Sequence, residues 1–558
     1  MKYLALTIGP IYKTMSQARK TRELWSASFS FSLLMKYLID EFSKHGELLS
    51  PSPNVKLPLH GAGVYPDRCY IKLNKAMTET EINNNKEIAL KEFSLATGYN
   101  PNELAYFQIY VVQKEIACNP IKSLNVILDG LELSKKYFSI KTFDINYYWN
   151  TQSVSPEFFQ NLYEKGYGDD EILPPILVKY SGAKSKTFKR FKSIPEISTT
   201  ELEKQHPSEY WNALGIQYLK TSNGEINFEQ LAQNKEDEQI EDNIINALKS
   251  EFKDNFKFRH KYFTIVQADG DNVGSLIGEI EKNNGDIMSF SNALNEFVSS
   301  AAGELKKYGA FPIYMGGDDL LFFAPLTNDK YEFEGLDFRE LFPPEKNEKY
   351  RVNGNNVFFL MTRLNFMFKE KLAPIVNKYM KDKTVSLSFG LSVGYYKKPM
   401  NEILAESYEL LFYNAKKQPC KNYIALKLEK HSGQSLDFGF TQNTPLYYYF
   451  LNLCTESKGK DENFLNSVMF KINNQKKIII EIANDVNKLK YFFDENFNEA
   501  SHKNYQAFFE AVRHIIHETF SWFAHEKPVD ENHEDKRISR IYSCLRFVQF
   551  LNANDNHE

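Results

Sequence analysis

YFTIVQADGDNVG, residues 262–274, and FPIYMGGDDLLFFAPL, residues 311–326, are the stretches on which the fold turns. Residues 262–268 form an apolar run of strand length that delivers Asp269 at its end. Beyond it Val273, Leu276, Ile277 and Ile280 recur at i, i+3, i+4 and i+7, one face of a helix. Residues 311–315 and 320–324 are short apolar strands separated by Gly316-Gly317-Asp318-Asp319, which predicts a hairpin with two acids at its tip.

Working outward, a helix is expected over 289–307, another ending near 380, a strand over 385–396, a helix over 400–417 and a strand over 423–430. The order β-α-α-β-β-α-β is that of a ferredoxin-like palm. The N-terminal third reads similarly. Residues 3–9 form a strand broken by Gly9-Pro10, a helical pattern runs to about 42, strands follow at 67–73 and 105–113, and helices at 77–96 and 121–136. This is read as a second ferredoxin-like pattern, β-α-β-β-α-β. The acidic stretch QNKEDEQIED, residues 233–242, reads as a linker or exposed helix. Near the end Phe508, Val512, Ile515, Ile516, Phe520 and Phe523 share one helix face, and Ile538, Ile541, Leu545, Val548 and Leu551 another. The expected class is α+β: a first palm over 1–140, a mixed or helical connecting region over 141–255, a second palm over 256–432 and a helical domain over 433–558.

Composition narrows the function. Lys plus Arg total 68 and Asp plus Glu 72, a net charge of -4, with 42% hydrophobic residues. That excludes gross disorder and a chain held to nucleic acid by overall charge. Any RNA contact must come from local basic patches or partner subunits. The five cysteines form no CxxC pair, no run is apolar enough to span a membrane and no signal peptide is evident, so a reducing, cytoplasmic setting is expected.

The chemistry lies in the acids. A palm sheet sets its first strand beside the hairpin, so Asp269, Asp318 and Asp319 are expected to converge. Such a group is unfavourable without cations, and its hard oxygens favour Mg²⁺ or Mn²⁺. Two ions can hold a nucleoside triphosphate for in-line nucleotidyl transfer. Gly316 and Gly317 let phosphate approach the backbone. Asp and Gly are also ordinary turn residues, but GGDD would arise by chance in a chain this long only about once in a hundred times.

The motif pair resembles the palm of GGDEF-type nucleotide cyclases and, more closely, the large palm subunit of type III CRISPR effector complexes. The opening YLALTIGPIYKTMSQARKTRELWSASFSFSLL, the hairpin, and LSFGLSVGYYKKPMNEILAESYELLFYNAKKQPCKNYIALKL resemble the Cmr, or III-B, version. The resemblance implies that Asp269, Asp318 and Asp319 are catalytic and, with the Gly270 backbone, hold the metal. It implies that Asp271, Ser388, Lys416 and Lys421 meet nucleotide, and that Lys13, Arg19, Lys20 and Arg22 meet nucleotide phosphate or RNA. It further implies ATP as substrate, cyclic oligoadenylate as product or S-adenosylmethionine as an alternative acceptor, and guide RNA, target RNA and other Cmr subunits, the small helical one included, as partners. A catalytically silent scaffold and a free-standing diguanylate cyclase are the alternatives.

Two family features are missing. No His-Asp dipeptide occurs and the first palm begins at residue 3, so an HD nuclease domain is not expected. The zinc-binding cysteine pairs are also missing, so the region 194–202 must hold together without that metal. His514, His517 and Glu518 lack the HExxH order and are expected to be ordinary helix residues.

Overall fold

The computed structural model describes residues 1–99, 104–133, 162, 165–167, 192–219, 238–342, 350–380, 383–460, 462–497, 505–522 and 536–555. Most of the predicted connecting region, residues 134–136, residues 233–237 of the acidic stretch and Phe523 lie outside them.

β1 (Lys2–Gly9), β2 (Gly46–Ser50), β3 (Arg68–Leu73) and β4 (Gln108–Glu115) form an antiparallel sheet in the order β2-β3-β1-β4. This is the ferredoxin-like order. The helix Glu79–Thr97 starts at a capping box between Thr78 and Glu81 and stops at Gly98, where φ is +80°. The helix Thr21–Phe42 is buried along most of its length because it lies between the two palms. Ser26, Ser28, Ser30 and Ser32 are all buried in it. Ser28 donates to the Ile313 carbonyl of the second palm at 3.0 Å, and the Trp25 indole N–H donates to the Gly61 carbonyl at 2.6 Å.

The second sheet holds β5 (Tyr262–Asp271), β6 (Phe311–Gly316), β7 (Asp319–Ala324), β10 (Ser386–Tyr395), β11 (Tyr423–Glu429) and β12 (Ser435–Thr441) in the order β12-β11-β10-β5-β7-β6. Its part β10-β5-β7-β6 repeats the β4-β1-β3-β2 arrangement of the first palm, so the chain carries two ferredoxin-like palms. β11 runs parallel to β10, and β12 pairs with β11 from Ser435 to Thr441. The palm sheet therefore continues past the predicted boundary at 432. β8 (Phe333–Asp337) and β9 (Arg351–Gly354) form a separate small sheet after the hairpin.

Six helices from Pro445–Glu456 to Lys536–Asn552 make up the rest of the described C-terminal part. The faces read from periodicity are buried, from Phe508 to Phe520 and from Ile538 to Leu551. His514 stacks on Tyr449 at 4.1 Å, and the His517 ring meets the Ala483 carbonyl at 3.1 Å, so both are packed helix residues.

Residues 194–202 are held by a buried polar hub. Glu201 is 1% exposed. Its carboxylate lies 3.0 Å from the Arg259 guanidinium and 3.1 Å from His260 Nε2, and accepts from Thr327 Oγ1 at 2.6 Å. Arg259 also donates to the Leu551 carbonyl at 2.7 Å, which ties this region to the second palm and the last helix. Among the described residues no helix is long and apolar enough to cross a membrane.

Candidate active site

β5 sits inside the second sheet, with Ala268 opposite Leu320 of β7, Asp269 opposite Ser388 and Asp271 opposite Ser386 of β10. β6 and β7 close at the Gly316–Asp319 pair, so Gly317 and Asp318 form the turn. Gly317 has φ +80°, the region glycine adopts without strain. A Cβ placed on Gly270 would lie 2.5 Å from Asp318 Oδ2. The Asp318 carboxylate thus occupies a cradle that exists only because residue 270 lacks a side chain.

Electrostatics follow from this packing. Burial and then the neighbouring Asp269 push the Asp318 carboxyl up to about 6. Burial raises Asp269 too, against the pull of Lys416 and Lys421. The Asp319 side chain opens onto a water-accessible cavity. Even so, the surrounding protein and the acids Asp318, Asp269 and Asp67 hold its carboxyl well above the usual range.

The expected convergence of three or four acids is corrected in part. Among the described residues no three His, Cys, Asp or Glu side chains are grouped closely enough to hold a metal ion as they stand. The reason lies in Asp271 and Lys416. Asp271 is fully buried, and its Oδ2 accepts from Ser386 Oγ and Ser388 Oγ at 2.7 Å each and from the Asn422 N–H at 2.9 Å. Its Oδ1 accepts from Lys416 Nζ at 2.9 Å. A carboxylate so saturated has no room for phosphate or metal. Asp271 and the buried Ser388 therefore brace the strand ends, and the expectation that they line a nucleotide pocket is not met. Lys416 also donates to the carbonyls of Asp269 and Gly270, at 2.9 and 2.8 Å, and lies 3.0 Å from Asp269 Oδ2. Its ammonium is committed to these oxygens instead of facing open space. Lys421 is half-buried in a left-handed turn, φ +49°, within electrostatic reach of Asp269.

The first palm closes over this end of the sheet. Gly63 bridges to β6: its N–H donates to the Ile313 carbonyl at 3.1 Å, and its carbonyl accepts from the Met315 N–H at 2.8 Å. Between the palms lies a cavity of about 790 Å³ whose lining includes Pro10, Lys13 and Phe31 on one side and Asp319, Leu321 and Tyr408 on the other. Lys13 and Arg19 are exposed and Lys20 is half-buried. Arg22 is 7% exposed, on the helix wedged between the palms, which corrects the expectation that it meets nucleotide or RNA. Asp67, which also lines the cavity, was not singled out by the sequence. It is a lone acid before a strand, and no motif marks it.

The residues fit a hard divalent cation. Asp269, Asp318 and Asp319 offer oxygen donors, their raised carboxyls mark negative charge in want of a counterion, and the missing side chain at Gly270 lets the Asp318 carboxylate come in beside Asp269.

Comparison with known proteins gives matches to two domain families. Residues 3–95 match the family described as "CRISPR-associated protein Cmr2, N-terminal", and residues 262–425 match "Cas10/Cmr2, second palm domain". Among solved structures, "Cryo-EM structure of the Type III-B Cmr-beta bound to cognate target RNA" is 12% identical, with 98% of this chain and 82% of that chain covered and a TM-score of 0.51. The corresponding apo state is 12% identical over 98% and 81%, TM-score 0.48. A "Csm1-Csm4 cassette in complex with one ATP" is 10% identical over 99% and 70%, TM-score 0.45. No curated protein matches at a significant level. The match to the Cmr2 N-terminal domain lies ahead of the match to the Cas10/Cmr2 second palm, and each falls on one of the two palms of the fold, so the chain carries these two domains of the Cas10/Cmr2 proteins.

Proposed function

We propose that this chain is the nucleotidyltransferase subunit of a type III-B Cmr effector complex, transferring AMP from ATP with release of pyrophosphate when guide RNA pairs with target RNA. The observation that carries the reading is Asp318 set in the Gly270 cradle beside Asp269, an acidic pair unfavourable on its own and followed directly by Asp319, which lines the cleft between the palms.

Asp269, Asp318 and Asp319 would hold Mg²⁺ or Mn²⁺, which when bound would offset the negative charge of the donor triphosphate and of the leaving pyrophosphate. Gly317 leaves the hairpin tip open to phosphate, whereas Gly316 is buried against the Tyr314 ring and is not the open position the sequence suggested. Lys421 stands close enough to bear on the same charge. Lys416 holds the end of β5, so that Asp269 keeps its orientation. The walls of the cavity are largely apolar and suit a purine base. The acceptor is the 3′-hydroxyl of another adenylate, giving cyclic oligoadenylate, with S-adenosylmethionine as the alternative acceptor. Other Cmr subunits, the small helical one among them, and the two RNAs complete the assembly, in the cytoplasm.

A scaffold role is the second reading, favoured by one observation: the acids do not stand as a ready three-ligand site. One experiment separates the two. The assembled complex is given labelled ATP and Mg²⁺ or Mn²⁺, with and without target RNA and with and without S-adenosylmethionine, and products are resolved by mass. Target-dependent oligoadenylate or an AMP conjugate supports transfer. No turnover in any mixture leaves the scaffold.

A further inference from the structure

Asp67 enters the inter-palm cavity from the palm that carries no GGDD. Its position is fixed from both sides. Residues 61–67 begin at Gly61, whose carbonyl accepts from Trp25, and Gly63 bridges to β6 just before the hairpin tip. The chain then turns at Tyr65, whose N–H donates to Ser32 Oγ at 2.8 Å, and is tied to β1 by the Ile8 N–H donating to the Asp67 carbonyl at 3.3 Å. The same short segment that grips β6 therefore sets Asp67 in the cavity that Asp319 also lines.

Its surroundings leave the carboxylate available. Arg68, the nearest cation in sequence, is drawn off to Asp129 at 2.7 Å and Glu132 at 2.9 Å. The Asp67 side chain is exposed within the cavity; its carboxylate accepts from its own backbone N–H, and among the described residues no other residue hydrogen-bonds or ion-pairs with it. Around it Ile11, Met15, Phe31, Leu404 and Leu411 give apolar wall, and Lys13 supplies positive charge. Apolar wall, free carboxylate and lysine correspond to the three parts of a nucleoside triphosphate: base, ribose and phosphates. A carboxylate repels phosphate but accepts strong hydrogen bonds from hydroxyls.

We propose that Asp67 binds the acceptor nucleotide, its carboxylate accepting a hydrogen bond from the ribose 2′-hydroxyl of a second ATP whose base fills the apolar part of the cavity and whose phosphates extend toward Lys13. This rests on the nucleotidyl-transfer reading above and adds which palm orients the acceptor, and by which group.

The test compares ATP with 2′-deoxy-ATP in the assembled, target-bound complex for the wild type, Asp67→Ala and Asp67→Asn. The wild type should turn over 2′-deoxy-ATP about tenfold or more slower than ATP, the scale of a lost charge-assisted hydrogen bond. Both variants should be slow with ATP and show little further loss with 2′-deoxy-ATP, the non-additivity expected of two groups in contact. A penalty in the variants equal to that of the wild type, or no penalty in the wild type, would overturn the assignment while transfer itself stands. Product formed only with S-adenosylmethionine would overturn it as well, because the acceptor would not be a second ATP. A wild-type complex without any product would overturn the transfer reading and this inference together. Asp67→Asn is isosteric and carries the test if Asp67→Ala fails to assemble.

Discussion

Lys416 Nζ lies 2.9 Å from Asp271 Oδ1, and the carboxylate it meets is fully buried. The pair closes a knot of donors around the end of β5. Removing only the cation would leave Asp271 charged inside the protein with one acceptor unfilled. Lys416→Met should therefore cost on the order of 3 kcal/mol of stability. Lys421→Met, which breaks no bond of this kind, should cost no more than about 0.5 kcal/mol. Denaturant unfolding of the two variants checks the contrast, and equal losses would mean that Lys416 is not part of the strand brace.

Asp271 and Asp318 should respond in opposite ways to the same substitution. Asp271→Asn loses acceptor capacity against four donors and should destabilise by about 2–3 kcal/mol. Asp318 has its carboxyl raised to about 6, so the folded state resists its ionisation. Its unfavourable contribution grows as pH rises from the ordinary carboxylate range through about 6 and is complete above that. In metal-free buffer at pH 7.5, Asp318→Asn should be neutral or stabilising by no more than about 3 kcal/mol. Thermal unfolding with and without Mg²⁺ completes the comparison: Mg²⁺ should raise the Tm of the wild type and have little effect on Asp318→Asn.

Gly270→Ala tests the cradle without touching a charge. The new methyl would stand 2.5 Å from Asp318 Oδ2, so the carboxylate or the hairpin tip must move. AMP transfer should fall about a hundredfold or more, since electrostatic groups misplaced by an ångström lose most of their effect. Gly278→Ala, with nothing within 4 Å of its added methyl, should leave transfer unchanged and serves as the control. Pyrophosphate release by the assembled complex measures both.

How far the sequence could be read depended on whether a feature was local. β5 and the β6–β7 hairpin were legible because each is an apolar run ended by Asp or Gly. The helix Val273–Lys282 followed from its four periodic apolar residues. β2 was not legible: it is short, and a register shift between Leu48 and Ser50 breaks its alternation. β12 does alternate, at Leu436, Phe438 and Phe440, but nothing local tells that it extends the palm sheet instead of opening the next domain. Among the acids, Asp269, Asp271 and Asp318 look alike in sequence. Which of them is buried and saturated is decided by register with β10, where Ser386 faces Asp271, and by the approach of Asn422 from β11's side. Arg22 was misplaced for the same reason, since the face of its helix that is covered depends on a palm far away in the chain. Asp67 was missed because it gains meaning only once the first palm docks on β6.

The hub at Glu201 makes the chain sensitive to acid in a direction the geometry fixes. His260 is buried, and desolvation holds its imidazole below the usual value despite the bond to Glu201. The unfolded chain takes up this proton more readily, so stability falls as pH drops from about 6.5, the ordinary value, toward the depressed one. Glu201 is held well below the usual carboxylate range: its burial acts the other way, and Arg259 and His260 outweigh it. Its contribution is intact above the ordinary carboxylate pKa and is lost as pH falls through the depressed one, so the two effects have the same sign. Tm should decline below pH 6.5 and decline further below pH 4.5. His260→Gln should flatten the first part of that decline. Glu201→Gln, which takes from the buried Arg259 its nearer carboxylate and leaves only Asp329 at 3.9 Å, should cost on the order of 3 kcal/mol at pH 7. A Tm independent of pH between 7 and 5 in the wild type would show that His260 is not held neutral by its surroundings.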